Sequence, residues 1–112
     1  MDTFDWIQSY PHCVTVCDTA GIIIAMNAAS QDNFKKYGGA GLIGSSLFDC
    51  HPESANVRIR EQLATQSGNT YFTESKDKKR LISQLPWYQG EVFGGLVETI
   101  MLLPDDTPVK KR

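Results

Sequence analysis

Cys13-Val14-Thr15-Val16-Cys17-Asp18-Thr19-Ala20-Gly21-Ile22-Ile23-Ile24-Ala25-Met26-Asn27-Ala28-Ala29 is the stretch whose reading decides the fold. Two β-rich runs, 13–17 and 22–26, are joined by four residues that open on Asp and close on Gly. That is turn chemistry, because the Asp side chain bonds nearby backbone and Gly tolerates positive φ. The predicted unit is a β-hairpin. Asn27 offers a side-chain oxygen to the free N–H groups of a helix start, and Gly38-Gly39 stop it, so a helix of about nine residues fits between.

Upstream, Phe4, Trp6, Ile7 and Tyr10 have roughly helical spacing up to Pro11, which predicts a short amphipathic helix. Downstream, the four glycines between Gly38 and Gly44 predict a mobile or tightly turned loop. Pro52 suits a first helical position. From there to Gln66 the pattern is helical, with Ala55, Ile59 and Leu63 on one face, Arg58, Glu61 and Gln62 largely elsewhere, and Gly68 as the expected stop. Three β-like runs follow, 69–75, 80–88 and 93–103, with turns at Asp77-Lys78-Lys79 and Gln89-Gly90-Glu91. Pro86 lacks an N–H, so a bulge or edge kink is expected there. The order predicts an α+β domain: one five-stranded antiparallel sheet, the first hairpin meeting the last three strands in the middle, helices on one face. A cone-shaped ketosteroid-isomerase type of fold is the rival, but it opens with several helices, and the early hairpin counts against it. The expected divisions are a helical cap at 1–11, the folded body at 12–103 and a polar tail at 104–112.

Composition bounds the function classes. At 112 residues, 41% hydrophobic and 21% charged, the chain has the length and balance of one soluble globular domain. A net charge of −2 gives no general attraction to nucleic acid or to an anionic membrane. The longest apolar run, Ile22 to Met26, is too short to cross a bilayer. Met1-Asp2-Thr3 does not begin a secretory signal, so a cytoplasmic location is expected. Three cysteines do not make a disulfide framework. Cys13 and Cys17 on one strand would stand roughly 13 Å apart, too far to bridge, so buried thiols are expected.

Several segments together resemble PAS domains. Val16 to Ala29 is similar to that family's opening hairpin, with an apolar pair, Asp, a turn with Gly, an apolar run and Asn-x-Ala. Leu42-Ile43-Gly44-Ser45-Ser46-Leu47-Phe48 resembles the segment ahead of the family's long helix. Cys50-His51-Pro52 resembles the way that helix opens in one bacterial subset. Trp87 to Glu98 resembles the closing hairpin, and Gly44 and Gly95 fall where the family's backbone turns or approaches closely. Ala20, where many members carry Asp or Asn, and Pro86 depart from the pattern. The resemblance implies a sensor or interaction module rather than an enzyme. Its pocket lies between the concave sheet face and the helices and holds heme, flavin, a metabolite or side chains alone.

No nucleophile elbow, phosphate loop or recognisable His–carboxylate pair is present, so no catalytic residue is expected. The family's photoactive flavin motif is not intact around Cys50. Heme needs an axial ligand, and His51 is the candidate, but it sits at the start of the long helix rather than within it. A role in capping that helix or the preceding turn is the simpler reading. Neither cofactor is expected, and ligand identity stays open. His12 and Cys13, adjacent on a strand, point to opposite faces and so make a poor start to a zinc site. Glu98 is expected to be solvated or paired with Arg80 or Lys79. The cluster Lys76, Lys78, Lys79 and Arg80 reads as a charged turn. By the family pattern Met26 faces the pocket, and Phe34, His51, Ile59, Ser83 and Thr99 are further candidates, although all of them suit an ordinary core. Two functions follow: a sensory module that binds a small ligand and relays a change to a partner, or a ligand-free dimerisation scaffold. Residues 100–103, Ile-Met-Leu-Leu, are apolar on both strand faces. One face therefore needs a cover, and the opening helix of this chain or of a second copy would supply it in a homodimer.

Overall fold

The hairpin forms as its turn chemistry dictates. In the computed structural model, which describes residues 4–112, β1 (Cys13–Cys17) and β2 (Ile23–Met26) pair antiparallel, with Thr15 opposite Met26. The reading of Met1-Asp2-Thr3 and the start of the 1–11 cap lie outside the described residues. Asp18 Oδ1 accepts the N–H groups of Ala20 and Ile22 at 2.9 and 3.0 Å, and Gly21 N–H donates to Asp18 O. Asn27 caps α2 (Ala28–Asn33), its Oδ1 accepting Ser30 N–H at 3.0 Å. The helix is shorter than the expected nine residues. It tightens into 3₁₀ turns at Lys35–Tyr37 and Gly39–Leu42, so much of the glycine-rich segment is regular.

The long helix, α3, runs Glu53–Thr65 with Pro52 at its N-cap. Its stop differs from expectation. Gln66 itself turns left-handed (φ 55°, ψ 43°), and the N–H groups of Gln66 and Ser67 both donate to Gln62 O. Gly68 serves a different need: a Cβ there would stand 2.7 Å from Leu85 Cδ2, so its lack of a side chain lets the chain enter β3 against β4.

Three long strands, β3 (Asn69–Ser75), β4 (Lys78–Gln89) and β5 (Val92–Leu103), form a meander. The first turn is Lys76-Asp77, both at positive φ, one residue earlier than expected. The sheet order is β2-β1-β5-β4-β3, so β1 pairs β5 and the two hairpin units meet in the middle. This is the expected α+β architecture, five antiparallel strands with helices. Pro86 lies beyond the end of β3 pairing at Asn69↔Gln84, and the register of β4 on β5 shifts just after it, between Trp87 and Tyr88.

The period of two divides each strand between faces. Thr15, Cys17, Gln84, Leu96 and Glu98 face the helices. There Cys17, Leu96 and Ile59 of α3 make a buried core against Leu47, Phe48 and Leu63. The opening helix, α1, is a single turn (Trp6–Ser9) packed near α2. No helix among the described residues is long and apolar enough to cross a membrane.

Candidate functional site

The cleft between α3, the 3₁₀ turns and the sheet is floored by three strands. β1 contributes Thr15, β5 contributes Glu98 and β4 contributes Gln84. Two larger cavities meet at His51 and Glu98, which line both. One, of about 410 Å³, is mainly apolar and bounded by Ile23, Met26, Phe34, Tyr37 and Leu42. The other, of about 390 Å³, is polar and lies between Arg58, Ile59 and Gln62 of α3 and Asn69 and Tyr71 of β3. Such volumes are within the range of small-molecule sites, roughly 300–1,000 Å³.

His51 owes its position to the turn before α3. Ser46 caps the 3₁₀ turn Leu47–Asp49, and the His51 ring reaches back so that Nδ1 stands 2.8 Å from Leu47 O. A carbonyl only accepts, so Nδ1 carries the proton in this contact, and in the neutral ring Nε2 keeps its lone pair. The expected capping role, on the preceding turn, coexists with a place in the cleft. Glu98 is held differently from expectation. Gln84 Nε2 donates to Glu98 Oε2 at 2.9 Å, while Lys79 lies over the Phe72 ring, 4.6 Å from its centroid. Gln84 faces Glu98 directly across the β4–β5 ladder, which explains the pairing.

Burial raises the Cys17 thiol above its ordinary value. Burial, then the Glu98 charge, does the same to Cys13, whose Sγ points at Ala29 O. Cys50, by contrast, is exposed rather than buried. The His12 ring meets Tyr10 edge to face. No group of three or more His, Cys, Asp or Glu gathers to hold a metal among the described residues.

Of the residues singled out by sequence, Met26, Phe34 and His51 come together around the apolar cavity, and Ile59 joins His51 at the polar one. Ser83 and Thr99 pair with each other across β4 and β5 but line neither cavity. Their neighbours Gln84 and Glu98 do, because the face assignment was off by one residue and one step on a strand reverses the face. Sequence reasoning also left out Gln62 and Arg58 as polar positions on the outer side of α3. The available signal was that Gln62 follows Ile59 by three residues, onto the same helical face.

Residues 7–66 match the model of a family described as the PAS fold. No curated protein matches the chain. Among solved structures, the fold is similar to the PAS domain of BvgS from Bordetella pertussis, at 14% identity and a TM-score of 0.65, over 90% of this chain and 83% of that one. It is similar to the Aer2 receptor of Vibrio cholerae, described as a dual PAS-heme oxygen sensor, at 14% identity and a TM-score of 0.62, over 83% and 95%. A sensory box sensor histidine kinase from Vibrio cholerae is also similar, at 13% identity and a TM-score of 0.63, over 88% and 87%. At these identities the likeness is one of fold.

Proposed function

The chain belongs to the PAS fold family, and on that premise we propose that it is a sensory module, acting in the cytoplasm, whose cleft takes a small molecule. The observation that carries this reading is the pair of cavities meeting at His51 and Glu98, walled by α3 and floored by polar side chains of the sheet. Together they leave a partly open space between α3 and the sheet that is large enough for a small molecule. The floor also bears on what enters. Glu98 and Gln84, hydrogen-bonded to one another in mid-sheet, present polar atoms where a porphyrin needs a broad apolar slot. The residues present therefore do not fit a porphyrin, and a smaller polar ligand suits them better.

The relay to a partner runs, in this reading, through a homodimer built on the N-terminal segment and the outer sheet face. Leu85 and Phe72 on that face are 51% and 58% exposed, and Trp6 of α1 is exposed as well. Apolar area of this kind is characteristic of interaction surfaces, and two-fold pairing is the commonest way of covering it. The body at 12–103 then senses and the flanking segments couple.

Native mass spectrometry of protein purified under mild conditions tests both halves. The expected spectrum is a dimer with one small molecule per chain, and Trp6→Glu with Ile7→Glu is expected to give monomer in sedimentation. A dimer that carries no ligand at any step would leave the scaffold function in place of the sensory one. An unmodified chain that sediments as a monomer at high micromolar concentration would overturn the dimer.

A further inference from the structure

Gln62 does not fit its surroundings as a structural residue. It is 4% exposed, yet neither its Nε2 nor its Oε1 has a hydrogen-bond partner. A buried carboxamide with both ends unmade is destabilising, and native proteins rarely keep one without a use. Leucine at this point on α3 would fill similar space without that penalty. The side chain lines the polar cavity of about 390 Å³, opposite Gln84 and Glu98.

The groups around it sort by sign. On the sheet side is an anion, Glu98, whose Oε2 takes the Gln84 amide and whose Oε1 is left over; His51, in the turn before α3, has its Nδ1 spent on Leu47 O. On the helix side is a cation, Arg58, one turn before Gln62 on the same face and in no salt bridge among the described residues. Tyr71 stands within reach of both charges: burial raises its phenol, Glu98 raises it further and Arg58 draws it back down. The helix wall therefore offers positive charge and the sheet wall negative charge. The orphaned carboxamide carries one donor and one acceptor of its own.

We propose that this cavity binds a small zwitterion of the free α-amino acid class. The carboxylate lies on Arg58 and the Gln62 N–H, and the ammonium on Glu98 and the Gln62 carbonyl oxygen. A rotation of the Gln62 side chain, whose carboxamide is closed off by protein in the empty site, brings it onto both ligand groups at once and gives its two unmade ends partners. A dicarboxylate would set like charge against Glu98, and a simple amine would leave Arg58 and the Gln62 N–H without partners. The assignment rests on the reading of the cleft as a ligand site and narrows it to one chemistry.

Thermal-shift measurement and calorimetry on the full chain decide it. The probes are the standard L-amino acids at millimolar concentration, each set against its decarboxylated amine and its N-acetyl derivative, with succinate as the dicarboxylate. At least one amino acid is expected to raise the melting temperature by several degrees while its one-charge counterparts and succinate do not. Gln62→Leu and Arg58→Met should each weaken that binding about tenfold or more, the loss expected for a charge-assisted hydrogen bond. Without ligand, Gln62→Leu should melt above the unmodified protein, which also shows that the variant folds. Equal shifts from amines or succinate, or unweakened binding by Gln62→Leu, would overturn the proposal. If no amino acid acts while native mass spectrometry finds another bound molecule, the zwitterion assignment fails and the ligand site stands. If neither finds anything, both fail.

Discussion

Gly95→Ala is expected to lose roughly 3–5 kcal/mol, a large part of the stability of a domain this size. Gly95 sits at φ +139°, a conformation side chains rarely adopt, and a Cβ built there falls on the carbonyl oxygen of Cys17 and within 2.8 Å of the Asp18 carbonyl carbon. Both obstacles are backbone and have no rotamer by which to move aside. The Cys17 carbonyl also accepts the Trp87 indole N–H at 3.0 Å, and the Cys17 side chain belongs to the core with Ile59 and Leu96. Any shift that makes room for a methyl group disturbs the β1–β5 junction on which the sheet order depends. Gly44 is the internal comparison. It too has positive φ, +95°, but nothing lies within 4 Å of its Cβ position, so Gly44→Ala meets backbone strain alone, about 1 kcal/mol. Urea unfolding of the two variants measures the difference. Equal midpoints would mean that the close approach at Gly95 is absent.

Asn27→Ala is expected to lose about 3–4 kcal/mol by the same measurement, because a buried hydrogen-bond hub is removed and its partners are stranded. Asn27 is 1% exposed and bonds in both directions. Its Oδ1 accepts from Val14 N–H at 2.9 Å and Ser30 N–H at 3.0 Å. Its Nδ2 donates to the carbonyls of Ile7, Tyr10 and His12. One side chain therefore joins α1, the approach to β1 and the start of α2. Asn27→Asp separates the two halves. It keeps the acceptor, and with it the α2 cap, but sets a carboxylate oxygen against three carbonyls. Hydrogen exchange should then show α2 protected and the amides of residues 6–10 and 12 released. An unchanged midpoint for Asn27→Ala would contradict the hub.

Asn27 also marks how much was legible in the sequence. One of its two acceptor bonds is local: a helix N-cap binds the N–H three residues on, and an Asn directly ahead of a helical pattern announces it. Its donor half reaches Ile7, twenty residues away, and no local pattern carries that. The same division holds across the molecule. The hairpin, the capped helices and the meander follow from neighbours in sequence. Their order left one sensible way to complete a sheet, hence the strand order. The faces of β4 and β5 were harder. Both strands carry apolar residues on both sides, so alternation gave no phase, and Ser83 and Thr99 stood in for Gln84 and Glu98. The helix stop at Gln66 was hidden because a Gln in left-handed conformation is uncommon, and Gly68 offered a more familiar signal two residues later. Gln62 was passed over because a polar residue on a helix is ordinarily solvated, and only its burial reveals the exception.

The central claim is that the concave cleft, and not the outer sheet face, is where a small molecule acts. Amide and side-chain NMR of the isotope-labelled chain, titrated with whatever amino acid gives the largest thermal shift, tests it most directly. The account predicts that resonances of Gln62, Tyr71, Gln84 and Glu98 move together with one binding curve, while Ser83 and Thr99, each next to Gln84 or Glu98 but on the opposite face, stay in place. Shifts confined to Ser83, Thr99 and their outer-face neighbours, or a titration that moves no cleft resonance, would contradict it.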